Sequence, residues 1–237
     1  MLDLILAGVV NGIATEFANH PMQAKIELKN ADEITLVSEI QGDSNTSPLS
    51  GQQVTVEAIV VGDFQGEDGL NGFYIQEEAA DADNEAATSE GLFVFDEDFG
   101  VAVAVGDRVQ VTGTVEERFD ALTALTNLTM VDVLERAQPL PPATTVYFPI
   151  DSTADLERVE GMQITIPTTL YVTEYFNLDR FGQLRLAADG PGNVEGTDGR
   201  IVHYTQFNDP STGCFSTYHY LVARRQIILD DGSSQQN

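Results

Sequence analysis

The chain reads Val54-Thr55-Val56-Glu57-Ala58-Ile59-Val60 near the end of its first quarter. Aliphatic side chains recur at every second position, which predicts a β-strand with one face in a hydrophobic core. Gly113, further along, predicts the kind of bulge that bends a strand in a small barrel. Five short strands favour an all-β, small Greek-key barrel, with the OB-fold as the leading candidate. The other four strand-like segments are residues 72–76, 91–95, 108–115 and about 122–133.

A proline-rich segment, Gln138-Pro139-Leu140-Pro141-Pro142, can continue neither a helix nor a central strand, so it predicts a domain boundary. Beyond it, the pattern of residues 51–56 recurs in Gly161-Met162-Gln163-Ile164-Thr165-Ile166, at an offset of 110 residues. The recurrence favours tandem OB-fold-like barrels over residues 34–137 and 138–237. A β-pattern shared by unrelated strands would give the same signal.

Acidic side chains dominate the composition, because 38 Asp and Glu stand against 11 Lys and Arg and give a formal net charge of −27. No basic residue lies between Lys29 and Arg108. Since affinity for nucleic acid rests largely on Lys and Arg that neutralise phosphates, the first half is a poor nucleic-acid binder. An acidic surface also keeps a protein soluble, which explains much of this charge. The second half is the better candidate for contact with an acidic partner, since it holds Arg158, Arg180, Arg185, Arg200, Arg224 and Arg225.

Neither a cross-link nor a membrane anchor is visible in the sequence. Cys214 is the single cysteine, so no intrachain disulfide can form, and its aromatic neighbours favour a small buried hydrophobe over a reactive thiol. The apolar stretch at residues 1–10 is too short to span a bilayer, and it carries Asp3 where a signal peptide needs positive charge. We therefore expect no membrane contact.

Several strings carry a family resemblance: Ser47-Pro48-Leu49-Ser50-Gly51-Gln52, Gly72-Phe73-Tyr74-Ile75-Gln76, Gly106-Asp107-Arg108-Val109 and Thr173-Glu174-Tyr175-Phe176-Asn177. In this order, and across about residues 34–237, the chain resembles the OB-like region of secreted bacterial nucleases of the ExeM and YhcR type. In that family an endonuclease/exonuclease/phosphatase-type catalytic domain lies downstream, and a lamin-tail-like domain can lie upstream.

The resemblance implies a role for each part of the chain. Residues 1–33 would be a remnant or linker that includes the end of a lamin-tail-like module, and the second domain would end in a linker towards the catalytic domain. The implied parent is an extracellular, DNase-type hydrolase. Within it, this chain would be a non-catalytic accessory region that positions the catalytic domain.

Catalytic residues are not indicated by the sequence. The chain has three histidines, His20, His203 and His219, of which the last two lie among aromatic residues and are typical of structural histidines. The Gly-x-Ser-x-Gly elbow, the phosphate-binding Gly-x-x-x-x-Gly-Lys loop and the His-Glu-x-x-His motif are absent. We therefore expect no catalysis by this chain alone.

Aromatic and cationic residues suggest where nucleic acid could be contacted. OB-type barrels bind single strands through exposed aromatic rings backed by positive charge. The phenylalanines of the predicted strands are interpreted as core, and Tyr74 as the stacking residue of the first barrel. In the second half, Tyr175 and Phe176 together with Arg180 and Arg185 form the more credible pairing. The expected contact is weak and salt-sensitive.

An acidic loop follows the second predicted strand, and its oxygen ligands could hold Ca²⁺. Calcium takes six to eight oxygen ligands, towards which Asp81, Asp83 and Asn84 with backbone carbonyls would contribute. The alternative is a solvated acidic loop without a metal. A rival function follows from this loop and from the charge: a structural, calcium-stabilised β spacer that binds no nucleic acid.

Overall fold

The computed structural model describes residues 3–5, 33–83, 85–97, 99–119, 122–188, 201–206, 208–210 and 212–236. Strands account for 35% of the chain and helices for 16%, so the protein is mostly β and the prediction of an all-β, barrel-like fold is confirmed. None of the helices in these ranges is long and apolar enough to cross a membrane.

Eleven strands and three α-helices are present in the described ranges. They are β1 (Asp3–Ile5), α1 (Val37–Gln41), β2 (Gln53–Phe64), β3 (Gly72–Gln76), β4 (Gly91–Phe95), β5 (Arg108–Arg118), β6 (Leu122–Glu135), β7 (Thr144–Thr145), β8 (Gln163–Thr165), β9 (Tyr171–Glu174), α2 (Leu178–Phe181), β10 (Leu184–Ala187), α3 (Thr212–Ala223) and β11 (Gln226–Leu229). Two 3₁₀ helices, Thr153–Val159 and Tyr204–Gln206, complete the secondary structure of these ranges.

Strands β2 to β6 close into a barrel in the order β2-β3-β4-β6-β5. Neighbouring strands are antiparallel except for β4 and β6, which run parallel. This order fits the Greek-key barrel that the sequence predicts, and all five predicted strands are present. The register of β5 and β6 shifts between Thr112 and Thr114, so the bulge expected at Gly113 is also confirmed.

The barrel core is built from the inward faces of its strands. Alternate residues of β2, from Val54 to Val60, are buried there, as the sequence pattern predicts. The ring of Phe73 and the side chains of Val37 and Ile40 from α1 are fully buried in the same core, so this short helix closes one part of it. Each fully buried aliphatic or phenylalanine side chain contributes roughly 1.5–3 kcal/mol through removal from water.

The strands of the second half, together with the N-terminal β1, form two three-stranded sheets, β1-β8-β7 and β11-β10-β9. The second predicted barrel is therefore wrong for the described residues, because strands of two to four residues are too short to curl into a closed barrel. The 110-residue offset holds at one point, since β2 begins at Gln53 and β8 at Gln163. The pairing partners of these two strands differ, so the described residues do not support a repeated barrel.

The second half packs on the outer face of β3 and β4. A Cβ atom added at Gly91 would lie less than 3.0 Å from backbone atoms of Gly161 and Met162, so only glycine permits this approach. Gln163 N donates a hydrogen bond to Gln76 Oε1 at 2.9 Å, across the same contact. The C-terminal segment adds a second attachment, because Ser234 N donates to the Asp68 carbonyl at 3.0 Å. The two halves are thus joined along a buried interface.

Candidate nucleic-acid interface and acidic loop

The turn between β9 and β10 carries three exposed aromatic rings. The exposed fractions are 73% for Tyr175 and 85% for Phe176, and Phe181 at the end of α2 is also exposed. Helix α2 ends because Gly182 adopts a left-handed backbone conformation with φ +67°, which glycine tolerates best. We call residues 175–182 the aromatic hairpin.

One arginine accompanies these rings. The Arg180 guanidinium carbon lies 4.9 Å from the centroid of the Phe181 ring, a cation–π distance. Among the residues that the structure describes, Arg180 has no carboxylate within ion-pair distance. The aromatic hairpin can therefore offer ring faces for stacking and a guanidinium for a phosphate oxygen.

Arg185 lies on β10 and is already engaged. Its Nε atom is 3.6 Å from Glu174 Oε2, and its Nη1 atom donates a hydrogen bond to Gln226 Oε1 at 3.4 Å. Of the residues predicted for this site, the structure thus places Tyr175, Phe176 and Arg180 on one hairpin. Arg185 belongs to the supporting strand.

Tyr74 corrects the prediction of a stacking residue on the first barrel. Only 2% of its surface is exposed, and its ring packs against Phe93 at a centroid distance of 4.8 Å and against Phe64 at 6.0 Å. Burial raises the pKa of the phenol, and the nearby carboxylates of Glu160 and Asp230 raise it further. The second half covers this face of the barrel, so no base can stack on Tyr74.

A further aromatic–cationic pair, Arg118 and Phe119, lies at the β5–β6 turn and was missed in the sequence. Phe119 is 63% exposed, and the Arg118 guanidinium lies 3.9 Å from the centroid of the Phe95 ring. In the sequence, Glu116 and Glu117 directly precede this pair, and such a run of charges is typical of a solvated turn. An Arg-Phe dipeptide at a predicted hairpin turn is the signal that would have found it.

The acidic loop after β3 brings together a different set of carboxylates from the predicted one. One oxygen from each of Glu77, Glu78 and Asp81 lies within 4.8 Å of the others, and no other group of three or more Asp, Glu, His or Cys is this close among the described residues. Asp83 is turned into its own loop, since Oδ1 accepts from Glu85 N at 2.7 Å and Oδ2 from Thr88 Oγ1 at 2.9 Å. Asn84 lies outside the described residues.

The pKa values in this loop depart from ordinary carboxyl values. Partial burial tends to raise the pKa of Asp83, but the hydrogen bonds that it accepts outweigh this and lower it. Burial raises the pKa of Glu77 to about 7, even though Val37 N donates to its Oε1 atom at 2.7 Å. Burial likewise raises the pKa of Glu90 to about 7. A proton or a cation near these groups therefore stabilises the loop.

A groove of about 640 Å³ separates this loop from residues 141–162 of the second half. Arg158 and five acidic side chains line it, and the excess of acidic groups favours cations over phosphates. The acidic side chains are those of Glu77, Glu85, Glu90, Asp151 and Asp155.

Cys214, His203 and His219 form no catalytic arrangement with one another in the part of the chain that the structure describes. Cys214 is exposed on α3, so the prediction of a buried small hydrophobe is wrong; the helix instead turns Val222 into the protein. His203 and His219 are exposed, and the His219 ring lies 4.2 Å from the centroid of Phe215. His20 lies outside the described residues.

Comparison with models of known protein families and with curated protein sequences finds no match for this chain. The fold and the sites thus define a mostly-β protein with a closed five-stranded barrel. Its second half carries an exposed aromatic hairpin.

Proposed function

We propose that this chain is a non-catalytic accessory region of a secreted bacterial nuclease that contacts nucleic acid weakly through the aromatic hairpin. The observation that carries the proposal is the exposure of Tyr175 and Phe176 on the same hairpin as Arg180, which has no carboxylate partner among the described residues. The family resemblance of the sequence supports the extracellular location and the downstream catalytic domain as partner.

The chemistry of the hairpin suits single strands better than duplexes. Stacking of a base on an aromatic side chain contributes about 1–3 kcal/mol per base, and only unpaired bases offer a free face. Duplex binding rests instead on many phosphate contacts, which a chain with net charge −27 disfavours. With one guanidinium at the hairpin, the slope of log K against log salt is expected to be about −0.7.

The barrel holds the hairpin in place. After β11 the chain continues through Asp230 to Gly232, and a Cβ atom at Gly232 would clash with the Phe64 ring at the end of β2. Close packing at this point fixes the C-terminal segment on the barrel. The accessory region would therefore present the hairpin at a defined position relative to the rest of the nuclease.

The test is fluorescence anisotropy with a labelled single strand of about 15 nucleotides and with its duplex. We expect the wild-type protein to bind the single strand more tightly than the duplex. The double variant Tyr175→Ala, Phe176→Ala should bind the single strand at least tenfold more weakly, because it lacks two stacking rings. Tyr147→Ala is the matched control, since it removes a ring that is 68% exposed elsewhere. Equal loss in both variants would contradict the assignment to the hairpin.

A second candidate function is a calcium-stabilised β spacer, favoured by the cluster of Glu77, Glu78 and Asp81. If Ca²⁺ binds there, it should raise the melting temperature more at pH 8 than at pH 5, because Glu77 with its pKa of about 7 is protonated at the lower pH. The shift should vanish in Asp81→Asn and persist in Glu85→Gln, whose carboxylate is exposed and outside the cluster. No shift in the wild-type protein would remove this candidate.

A further inference from the structure

The turn between β5 and β6 holds an arginine between two phenylalanine rings. The Arg118 guanidinium carbon lies 3.9 Å from the Phe95 centroid and 5.3 Å from the Phe119 centroid. Phe119 has a φ of +50°, a left-handed conformation that residues with a side chain rarely adopt, and its ring is 63% exposed. The turn therefore holds an apolar ring in water next to a cation, at a cost in backbone strain.

Arg118 lacks a carboxylate partner in the described part of the chain, although acidic side chains are abundant around it. Its Nε atom is buried and donates no hydrogen bond to a described residue. The neighbouring carboxylates point elsewhere: Ser47 N donates to Glu117 Oε1 at 2.7 Å, and Asn127 Nδ2 donates to Glu116 Oε1 at 3.4 Å. Arg108, in contrast, forms ion pairs with three glutamates. Among the described residues, therefore, no carboxylate neutralises the positive charge of Arg118.

We propose that Arg118 and Phe119 form a second nucleotide-binding point, which takes one base and an adjoining phosphate of a single-stranded nucleic acid. This inference rests on the proposed function and adds a contact on the barrel itself. Phe119 offers its exposed ring to the base, and Arg118 offers its remaining N–H groups to the phosphate. A nucleotide matches both groups together, whereas a simple anion would use only the arginine and a neutral ring only the phenylalanine.

A chain of packed groups joins this point to the aromatic hairpin along the outer face of the barrel. The ring centroids of Phe93 and Phe95 are 6.4 Å apart, and Phe93 contacts Tyr74, which contacts Phe64. The C-terminal segment then leads from Phe64 back to the hairpin. Both binding points therefore border the face of the barrel that the second half covers.

The absence of tryptophan from the chain allows a direct test. Three single variants, Phe119→Trp, Phe176→Trp and Tyr147→Trp, each place one tryptophan at an exposed position. Titration with an unlabelled single strand of about 15 nucleotides should quench the tryptophan at 119 and at 176 in a saturable way, because a stacked base quenches indole fluorescence. The tryptophan at 147 serves as the control and should not change.

A second measurement separates the base contact from the phosphate contact. Arg118→Gln, placed in the Phe119→Trp protein, should weaken the binding measured by quenching about fivefold or more, because it removes the charge that holds the phosphate. A circular-dichroism melt of each variant establishes that the barrel is folded, since Arg118 also packs on Phe95. Unchanged affinity in the folded Arg118→Gln protein would overturn the role of Arg118.

The outcomes distinguish this inference from the proposed function. Quenching at both 119 and 176 supports the second binding point and the aromatic hairpin together. Quenching at 176 alone refutes the second binding point and leaves the aromatic hairpin standing. Quenching at 119 alone refutes the hairpin and leaves the second point standing. A flat response at both positions refutes the two together.

Discussion

Replacing Glu160 by glutamine is expected to stabilise the protein at alkaline pH and to change its stability little at acidic pH. Glu160 is only 2% exposed and lies where the two halves meet. Its Oε1 atom accepts a hydrogen bond from Thr123 N at 2.9 Å and another from Gln41 Nε2 at 3.5 Å. A glutamine can keep these acceptor contacts through its carbonyl oxygen, so the substitution mainly removes the capacity to ionise.

The expected change in the free energy of unfolding follows from the pKa of this carboxyl group. Burial, followed by the nearby charge of Glu157, raises the pKa of Glu160 from 4.5 to about 8, and the two hydrogen bonds only partly oppose this. The folded protein therefore holds a proton that the unfolded chain releases above pH 4.5. The stability associated with this proton is present below about pH 4.5 and is lost as the pH rises to about 8. A shift of this size corresponds to about 5 kcal/mol.

Urea denaturation followed by circular dichroism at pH 5 and at pH 9 measures the effect. In the wild-type protein the free energy of unfolding should be several kcal/mol lower at pH 9 than at pH 5. In Glu160→Gln much of this difference should disappear, through a gain at pH 9. Glu33→Gln is the control, because it removes one carboxylate from an exposed position.

A single result would refute this reasoning about Glu160. If Glu160→Gln and Glu33→Gln showed the same pH dependence as the wild-type protein, Glu160 would be ionised in the folded state at neutral pH. The interface between the halves would then hold a charge that burial does not suppress.

Three further predictions concern packing, thiol exposure and an ion pair of which only the aspartate is buried. Gly91→Ala should lower the free energy of unfolding by roughly 1–3 kcal/mol in urea melts, because the added Cβ atom would meet the backbone of the second half. Gly213→Ala should leave the free energy of unfolding unchanged, because a Cβ atom at that position meets open space. Cys214 should react with a thiol reagent in the native protein nearly as fast as in urea, and strong protection would contradict its exposed position. Asp107→Ala should destabilise the protein by about 1–3 kcal/mol, since buried Asp107 accepts a hydrogen bond from Arg136 at 2.9 Å; an unchanged urea midpoint would show that this ion pair contributes nothing.

The barrel strands could be predicted from the sequence because their signal is local. Every second residue of β2 from Val54 to Val60 faces the barrel core, and burial also alternates along part of β5. The bulge at Gly113 was also predictable, since glycine within a strand-like pattern has few other uses. Exposure of the aromatic hairpin was predictable in part, because Tyr175 and Phe176 stand next to each other and cannot both face inward from a strand.

The burial of Tyr74 and the surroundings of Glu160 could not be predicted, because they depend on contacts between residues distant in the sequence. Tyr74 is buried because the second half covers β3 and β4, and no pattern near Tyr74 indicates that cover. Glu160 is likewise defined by its contact with Thr123 across the interface. The grouping of Glu77 with Asp81, in contrast, follows from a short turn and could have been found from their spacing of four residues.

The most direct test of the central proposal is an anisotropy titration of the wild-type protein with a labelled single strand across a salt series. We predict saturable binding at low salt, with a shallow salt slope of about −0.7 for each phosphate contacted. That result would place a few phosphate contacts and stacked bases on this chain. A flat response even at the lowest salt concentration would contradict nucleic-acid binding and leave the spacer function as the account of this protein.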